Sequence, residues 1–310
     1  MGSSGQIKPP IILLGNVRSG TSMTMFCFGK HPELAYWNEP RTVWTYAAPG
    51  RRHDVFDEDD ARPGVIRYIR QRWLQYQRAN GDRRVMEKTP SNVMRIPYVH
   101  RIFPEAKFVY ILREPLANLS SSELKWRKPI TRVHLLERFR ETPKTQLHYY
   151  GWRLARDTFC SRVLKRKHVS VWGVRYPGIY DDIRTMSVEQ VIAKQWVACC
   201  QQADRDLERV DPALVYRLRY EDFVENPVPV FERVLGHFDL QMTQGVADEI
   251  NKMVDPNRRT KWRRLDPSIL AQCLPILEPE MRRQGYEVPE EVQQMLREHH
   301  GEEGIAPAVH

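Results

Sequence analysis

Short uninterrupted apolar runs alternate along this chain with longer stretches of helical period. Ile11–Gly15, Leu34–Trp37, Arg84–Met86, Lys107–Leu112 and Leu214–Leu218 read as strands. Thr21–Lys30, Pro63–Arg78, Asn92–Ile102, Pro115–Leu124, Thr145–Lys165 and Val188–Val210 read as helices. An apolar run bounded by breakers marks a strand buried on both faces. Strands that alternate with helices predict right-handed crossovers and a parallel sheet covered on both sides. The expected class is therefore α/β, and ligands of such sheets bind beyond the carboxyl ends of the strands.

Two regions lack this regularity. Residues 48–63 mix charge with Pro and Gly and predict a surface loop. Residues 125–144 carry Lys125, Arg127, Lys128, Arg132, Arg138, Arg140 and Lys144, which suits a lid or an insertion facing substrate. The expected organisation is a flexible leader over residues 1–9, one domain over 10–290 and a polar, fraying tail over 291–310.

Composition narrows the partners. The chain has 310 residues, 41% hydrophobic, with a net charge of +9, so a real core and an anionic ligand are both expected. The basic residues are spread rather than packed into one tail. Cys27, Cys160, Cys199, Cys200 and Cys273 are odd in number and form no Cys-x-x-Cys pair, which argues against a disulfide framework or a zinc site. His31, His100, His134, His148, His168 and His237 show no metal spacing. No apolar run approaches the roughly 20 residues of a membrane span. A reduced, cytoplasmic protein without a membrane span is the expectation, and the oligomeric state is not legible.

The first strand breaks into Gly15-Asn16-Val17-Arg18-Ser19-Gly20-Thr21-Ser22 before helical spacing resumes. Free backbone amides and the helix dipole at such a junction attract an anion. Gly20 permits close approach, Arg18 adds a charge, and Ser19, Thr21 and Ser22 add hydroxyl donors. The spacing is shorter than the Gly-x-x-x-x-Gly-Lys-Ser/Thr of nucleoside triphosphatases, and no Gly-Lys pair is present. A second strand, Lys107–Leu112, ends in Arg113, with Pro115 at a helix start, Ser121 eight residues after Arg113 and Lys125 one turn later. Arg113 and Ser121 suit the oxygens of one phosphate. Alternatively, Arg113 caps the sheet and Ser121 faces solvent.

With these two sites the chain resembles the sulfotransferases that use 3′-phosphoadenosine-5′-phosphosulfate (PAPS). In that family the first loop holds the phosphosulfate, and an Arg with a Ser eight residues later holds the 3′-phosphate. Three further segments carry the resemblance: Glu87-Lys88-Thr89-Pro90, Arg219-Tyr220-Glu221-Asp222-Phe223 with Asn226-Pro227, and Lys261-Trp262-Arg263, which is similar to a late loop closing over the nucleotide. The resemblance runs from about residue 10 to 285. It implies a P-loop-like three-layer sandwich around a central parallel sheet of about five strands, PAPS as co-substrate without a required metal, and nucleotide contacts from Arg18, Ser19, Gly20, Thr21, Ser22, Arg113, Ser121, Lys125, Tyr220, Lys261 and Trp262.

Sulfuryl transfer needs positioning, a cation at the leaving oxygen and a base for the acceptor proton. Arg18 is the first candidate for that cation and Lys88 the second. Glu39, after the second strand, is the candidate base, because a carboxylate partly desolvated near Trp37 and Trp44 is expected to have a raised pKa. The alternative for Glu39 is an ion pair with Arg41 or Arg18. Pro90 stands where the cytosolic small-molecule type places a His, so the chain is more similar to the tyrosylprotein and carbohydrate types of bacterial character. Trp172–Gly178 reads either as a wall of the acceptor pocket or as a buried turn anchor, and Gln195 and Trp196 read as core. The expected acceptor is a small molecule or glycan bearing a hydroxyl, with no nucleic acid partner. Two other readings stand beside this one: a P-loop kinase, which lacks here an acidic strand end for Mg2+, and a non-enzymatic polyanion-binding module.

Overall fold

A computed structural model describes residues 6–126, 171–255 and 262–303. The expected segment Thr145–Lys165, most of the basic stretch 125–144, Lys261 and Cys160 lie outside the described residues. Five strands form one parallel sheet in the order β2-β3-β1-β4-β5: β1 Ile11–Leu14, β2 Leu34–Asn38, β3 Arg84–Lys88, β4 Lys107–Leu112 and β5 Val215–Arg219. Strand β1 is central. It pairs Leu13 with Lys88 on one side and with Val109 on the other.

The alternation of β1 explains the two principal core layers. Ile11 and Leu13 pack with Met23, Cys27 and Phe28 of α1 (Thr21–Phe28). Ile12 and Leu14 turn to the opposite face. There they meet residues from α2 (Arg41–Trp44), α3 (Pro63–Ala79) and α4 (Ile96–Ile102), among them Trp44, Trp73 and Tyr98. From β1 the chain moves outward to β2 past α1, and from β3 it returns across β1 to β4 past α4 on the other face. The carboxyl end of β1 is therefore the point at which the strand order reverses, where open α/β sheets form a ligand crevice.

Helix α5 (Pro115–Trp126) follows β4. Helices α6 (Ile179–Thr185) and α7 (Val188–Leu207) precede β5. Ser187 and Gln190 form a reciprocal capping box that starts α7. That helix is apolar on two sides: Val191, Cys199 and Ala203 join the sheet core, whereas Ile192, Trp196 and Cys200 join a third cluster with Leu116 and Leu119 of α5. Beyond β5 come α8 (Tyr220–Glu225), α9 (Pro227–His237), α10 (Gln244–Met253), α11 (Pro267–Arg283) and α12 (Glu290–Glu303).

Four expectations change. The stretch Asn92–Ile102 is not one helix: a 3₁₀ turn at Pro90–Met94 stops at Arg95, and α4 begins beyond it. Pro97 has no N–H to continue the earlier turn, so a new helix must start there. Of the expected tail, Glu290–Glu303 form α12, with Val292 fully buried against the third cluster, and residues 304–310 lie outside the described residues. Residues 6–8 of the expected leader are tied down: Lys8 N–H donates to Gln77 Oε1 at 3.0 Å, and Gln77 Nε2 donates to the Gln6 carbonyl at 3.1 Å. The loop at 48–63 is anchored by buried Asp54 and Phe56 and carries a 3₁₀ turn, Glu58–Asp60, capped by Asp57.

Candidate active site at the switch point

The loop from Gly15 to Gly20 is held open by its backbone geometry. Gly20 has φ +96°, and a Cβ there would lie 2.5 Å from the Tyr220 ring. No side chain caps α1, so its first amides stay directed at the loop mouth beside the Thr21 and Ser22 side chains. Arg18 has φ +65°, a left-handed conformation unusual for a residue with a Cβ. Such strain costs about 1–3 kcal/mol and clusters at functional sites. Two side chains outside the loop hold it through three hydrogen bonds. Asn118 Nδ2 donates to the Val17 carbonyl at 2.8 Å and to Ser19 Oγ at 3.3 Å. Arg113 Nη1 donates to the Arg18 carbonyl at 2.8 Å.

The second expected site adjoins the first. Arg18 Nε donates to Ser121 Oγ at 3.0 Å, so the loop cation reaches across to the helix after β4. Arg113 lies over the Tyr220 ring at 4.2 Å, and that ring also abuts Gly20. Tyr220 thus acts as a wedge that sets the spacing between loop and strand end. The sequence assigned Arg18 to one anion and Ser121 to another; the fold puts them in contact. Lys125 falls on α5, one turn beyond Ser121. Trp262 is buried in the third cluster with Leu116, Leu119 and Trp196. The nearby hydroxyls and cations suit two adjoining anionic groups, since forked guanidinium and hydroxyl donors match phosphate-like oxygens.

Glu39 and Lys88 meet at the ends of β2 and β3. Lys88 Nζ donates to Glu39 Oε1 at 2.7 Å, while Arg41 reaches Oε2 through Nε at 3.0 Å and Nη2 at 2.7 Å. Glu39 has φ +53°, fixed by its N–H donating to the Lys88 carbonyl at 3.0 Å and by the Arg41 N–H donating to its own carbonyl at 2.6 Å. Burial pushes its carboxyl pKa up, but Arg41 and Lys88 outweigh that and hold it at about 2. The expectation of a raised pKa is corrected. Neighbouring charge dominates desolvation here because both carboxylate oxygens are occupied by cations.

Sequence reasoning missed several residues that shape this edge. Asn118 is fully buried and braces the anion loop, yet an Asn in a helix carries no motif of its own. Glu87 precedes Lys88, is fully buried, and accepts from the Thr89 hydroxyl and from Asn92 Nδ2 at 2.9 Å. Burial raises its pKa to about 7. Asp54 accepts from Arg175 Nη2 at 2.6 Å, and Arg95 Nη2 stands 3.8 Å away. Gln195 Nε2 donates to the carbonyls of Trp172 and Val174, both at 2.9 Å. Of the two readings of 172–178, these contacts describe an anchored turn. A Cβ on Gly173 would lie 3.4 Å from Val17 Cγ2, so that turn sits against the anion loop.

Residues 9–171 match a sequence profile described as "Sulfotransferase family". The nodulation protein NoeE of Sinorhizobium fredii (strain NBRC 101917 / NGR234) is 31% identical over 144 residues, covering 41% of this chain and 34% of that protein. The chain therefore spans about a third of the length of the curated relative it matches. In fold, the chain is similar to a sulfotransferase domain from the curacin biosynthetic pathway, with TM-score 0.54, 14% identity, and coverage of 92% of this chain and 100% of that one. It is also similar to the sulfotransferase domain of the Synechococcus PCC 7002 olefin synthase, with TM-score 0.53, 14% identity and coverage of 93% and 98%.

Proposed function

Because the chain belongs to the sulfotransferase family, we propose that it transfers a sulfuryl group from PAPS to a hydroxyl of a sugar, glycolipid or natural-product alcohol. One observation carries this reading: Arg18, Ser121 and Arg113 join the loop at β1 and the end of β4 into a continuous two-anion cradle at the switch point. The reaction needs a donor held at both its phosphosulfate and its 3′-phosphate, and the cradle offers donors for two such groups. Ser19, Gly20, Thr21 and Ser22 would hold the phosphosulfate end, with Arg113 and Ser121 at the 3′-phosphate, Lys125 and Lys261 adding charge, and Tyr220 keeping the two halves apart. Trp262 supports the walls from behind, through packing on α5.

In the transfer, the bond from sulfur to the bridging oxygen breaks as the bond from sulfur to the acceptor oxygen forms. The leaving group is adenosine 3′,5′-bisphosphate. Charge grows on the bridging oxygen, and Arg18 and Lys88 are the cations that offset it. The acceptor proton passes to the Glu39 carboxylate. These roles belong to side chains that three separate strand ends bring to one edge of the sheet.

The test is incubation with 35S-labelled PAPS and a panel of sugars, glycolipids, peptides and natural-product alcohols. Label should move to a hydroxyl-bearing acceptor, and transfer should fail in Arg18→Ala and Lys88→Ala. Transfer of phosphate from ATP–Mg2+ instead, with stabilisation by that nucleotide alone, would favour a kinase.

A further inference from the structure

In the arrangement found each oxygen of Glu39 holds a cation, which makes the carboxylate a weak base. Lys88 occupies Oε1 and Arg41 occupies Oε2. Among the described residues these are the two charged groups that act on it. Release of one of them would make the carboxylate a stronger base, and the fold distinguishes them. The sheet order is β2-β3-β1, so Lys88 on β3 stands between Glu39 on the β2 side and the anion loop on the β1 side. Its ammonium is a point charge on a flexible stem, 4% exposed, and can swing from one anion to another. Arg41 belongs to α2, which follows β2, and grips a single oxygen through two nitrogens. A forked hold of this kind orients its partner as well as charging it.

Resting on the sulfotransferase reading above, we infer that Lys88 and Arg41 divide the control of Glu39. Lys88 blocks Oε1 until the anionic donor occupies the loop and draws the ammonium away, and Arg41 stays on Oε2 as a positioning residue that aims the freed oxygen at the acceptor. Donor loading thereby switches on the base. Oε1 is then the atom that takes the acceptor proton, while the Lys88 side chain meets the charge growing on the leaving oxygen. The device gives the site an order: donor first, acceptor proton second. It also explains why the backbone of Glu39 is held in a left-handed conformation, since the ties to Lys88 O and from Arg41 N keep the carboxylate in place when the side-chain bond to Lys88 opens.

The experiment follows the Glu39 carboxyl resonance in 13C-glutamate-labelled protein, assigned by its loss in Glu39→Gln. The protein is titrated from pH 8 to 4 alone and with saturating PAPS without acceptor, and donor binding is verified in the same samples by the rise in melting temperature. The free protein should show no titration in this range, and the loaded protein should show a midpoint inside it, above pH 4. In Arg41→Ala the free midpoint should rise, and Arg41→Lys should restore most of the depression, at unchanged melting temperature. A resonance that PAPS leaves unmoved while the melting temperature rises would overturn the inference and leave the function intact. No rise in melting temperature with PAPS would overturn both.

Discussion

Two carboxylates near this sheet edge are each clamped by two cations, yet they are built for opposite purposes. Asp54 is sealed, 4% exposed, and receives three hydrogen bonds from Arg175, with Arg95 at 3.8 Å. It ties together the loop after β2, the turn after β3 and the segment before α6. Glu39 has a side chain 28% exposed and holds Lys88 and Arg41 at the mouth of the crevice. Burial raises the pKa of both, and in both the two cations win and lower it. The lesson is that the charge pattern is not what separates a brace from a working group. Exposure separates them, 28% for the Glu39 side chain against 6% for that of Asp54, and on the proposed reading a bound anion takes a partner from Glu39 alone.

This contrast breaks first in stability. Asp54→Asn should destabilise the fold by about 3–5 kcal/mol in chemical denaturation, because it leaves two buried guanidiniums without their counter-charge. Glu39→Gln should cost less than that by the same measurement, since its own carboxylate and Arg41 are partly exposed to water and only Lys88 is buried. Equal losses would erase the distinction between the two clamps.

Turnover should invert the ranking. Glu39→Gln should lower kcat by about 10²–10⁴-fold, the range for loss of a general base, with donor affinity nearly unchanged. Full activity in that variant would remove Glu39 from the reaction. Ser121→Ala should weaken adenosine 3′,5′-bisphosphate by about fivefold to tenfold, as expected for one hydrogen bond of about 1 kcal/mol. Isothermal titration calorimetry measures this, and an unchanged affinity would detach Ser121 from the nucleotide.

The smallest effect is in pH dependence. Depressed carboxylates such as Glu39 stabilise the fold above their unfolded pKa, and that contribution is lost as pH falls from about 4.5 through about 2. Glu87 has the opposite sign. Its folded pKa is raised to about 7, so its contribution is present below about 4.5 and is lost as pH rises through 7. Denaturation midpoints between pH 5 and 8 should therefore fall less steeply with pH in Glu87→Gln than in the parent chain. An identical slope would mean that Glu87 is ionised throughout.

Most of the sheet was legible because its strands are unbroken apolar runs, as in Ile11–Leu14, and the periodicity located α3, α5 and α7 to within a few residues. The start of β5 shifted by one residue because Asp211 caps a 3₁₀ turn that takes in Leu214. The anion loop was legible from Arg18, Gly20 and the hydroxyls around them. The contact between Arg18 and Ser121 was not, since it spans 103 positions and depends on how α5 lies across β1. Asp54, Glu87 and Asn118 were invisible for the same reason: each acts through partners that only the fold brings near. Glu39 was found, but its pKa was misjudged, because nearby tryptophans suggest desolvation and the sequence does not show that two cations reach the same carboxylate.

The proposed function requires that one cradle hold two anionic groups of a single nucleotide. The most direct measurement compares adenosine 3′,5′-bisphosphate with adenosine 5′-monophosphate by calorimetry in EDTA, in the parent chain and in Ser121→Ala. The 3′-phosphate should strengthen binding by about tenfold or more in the parent chain, as one charge-assisted contact of roughly 1.5–3 kcal/mol provides, and by much less in Ser121→Ala. Equal affinity for the two nucleotides in the parent chain would contradict it.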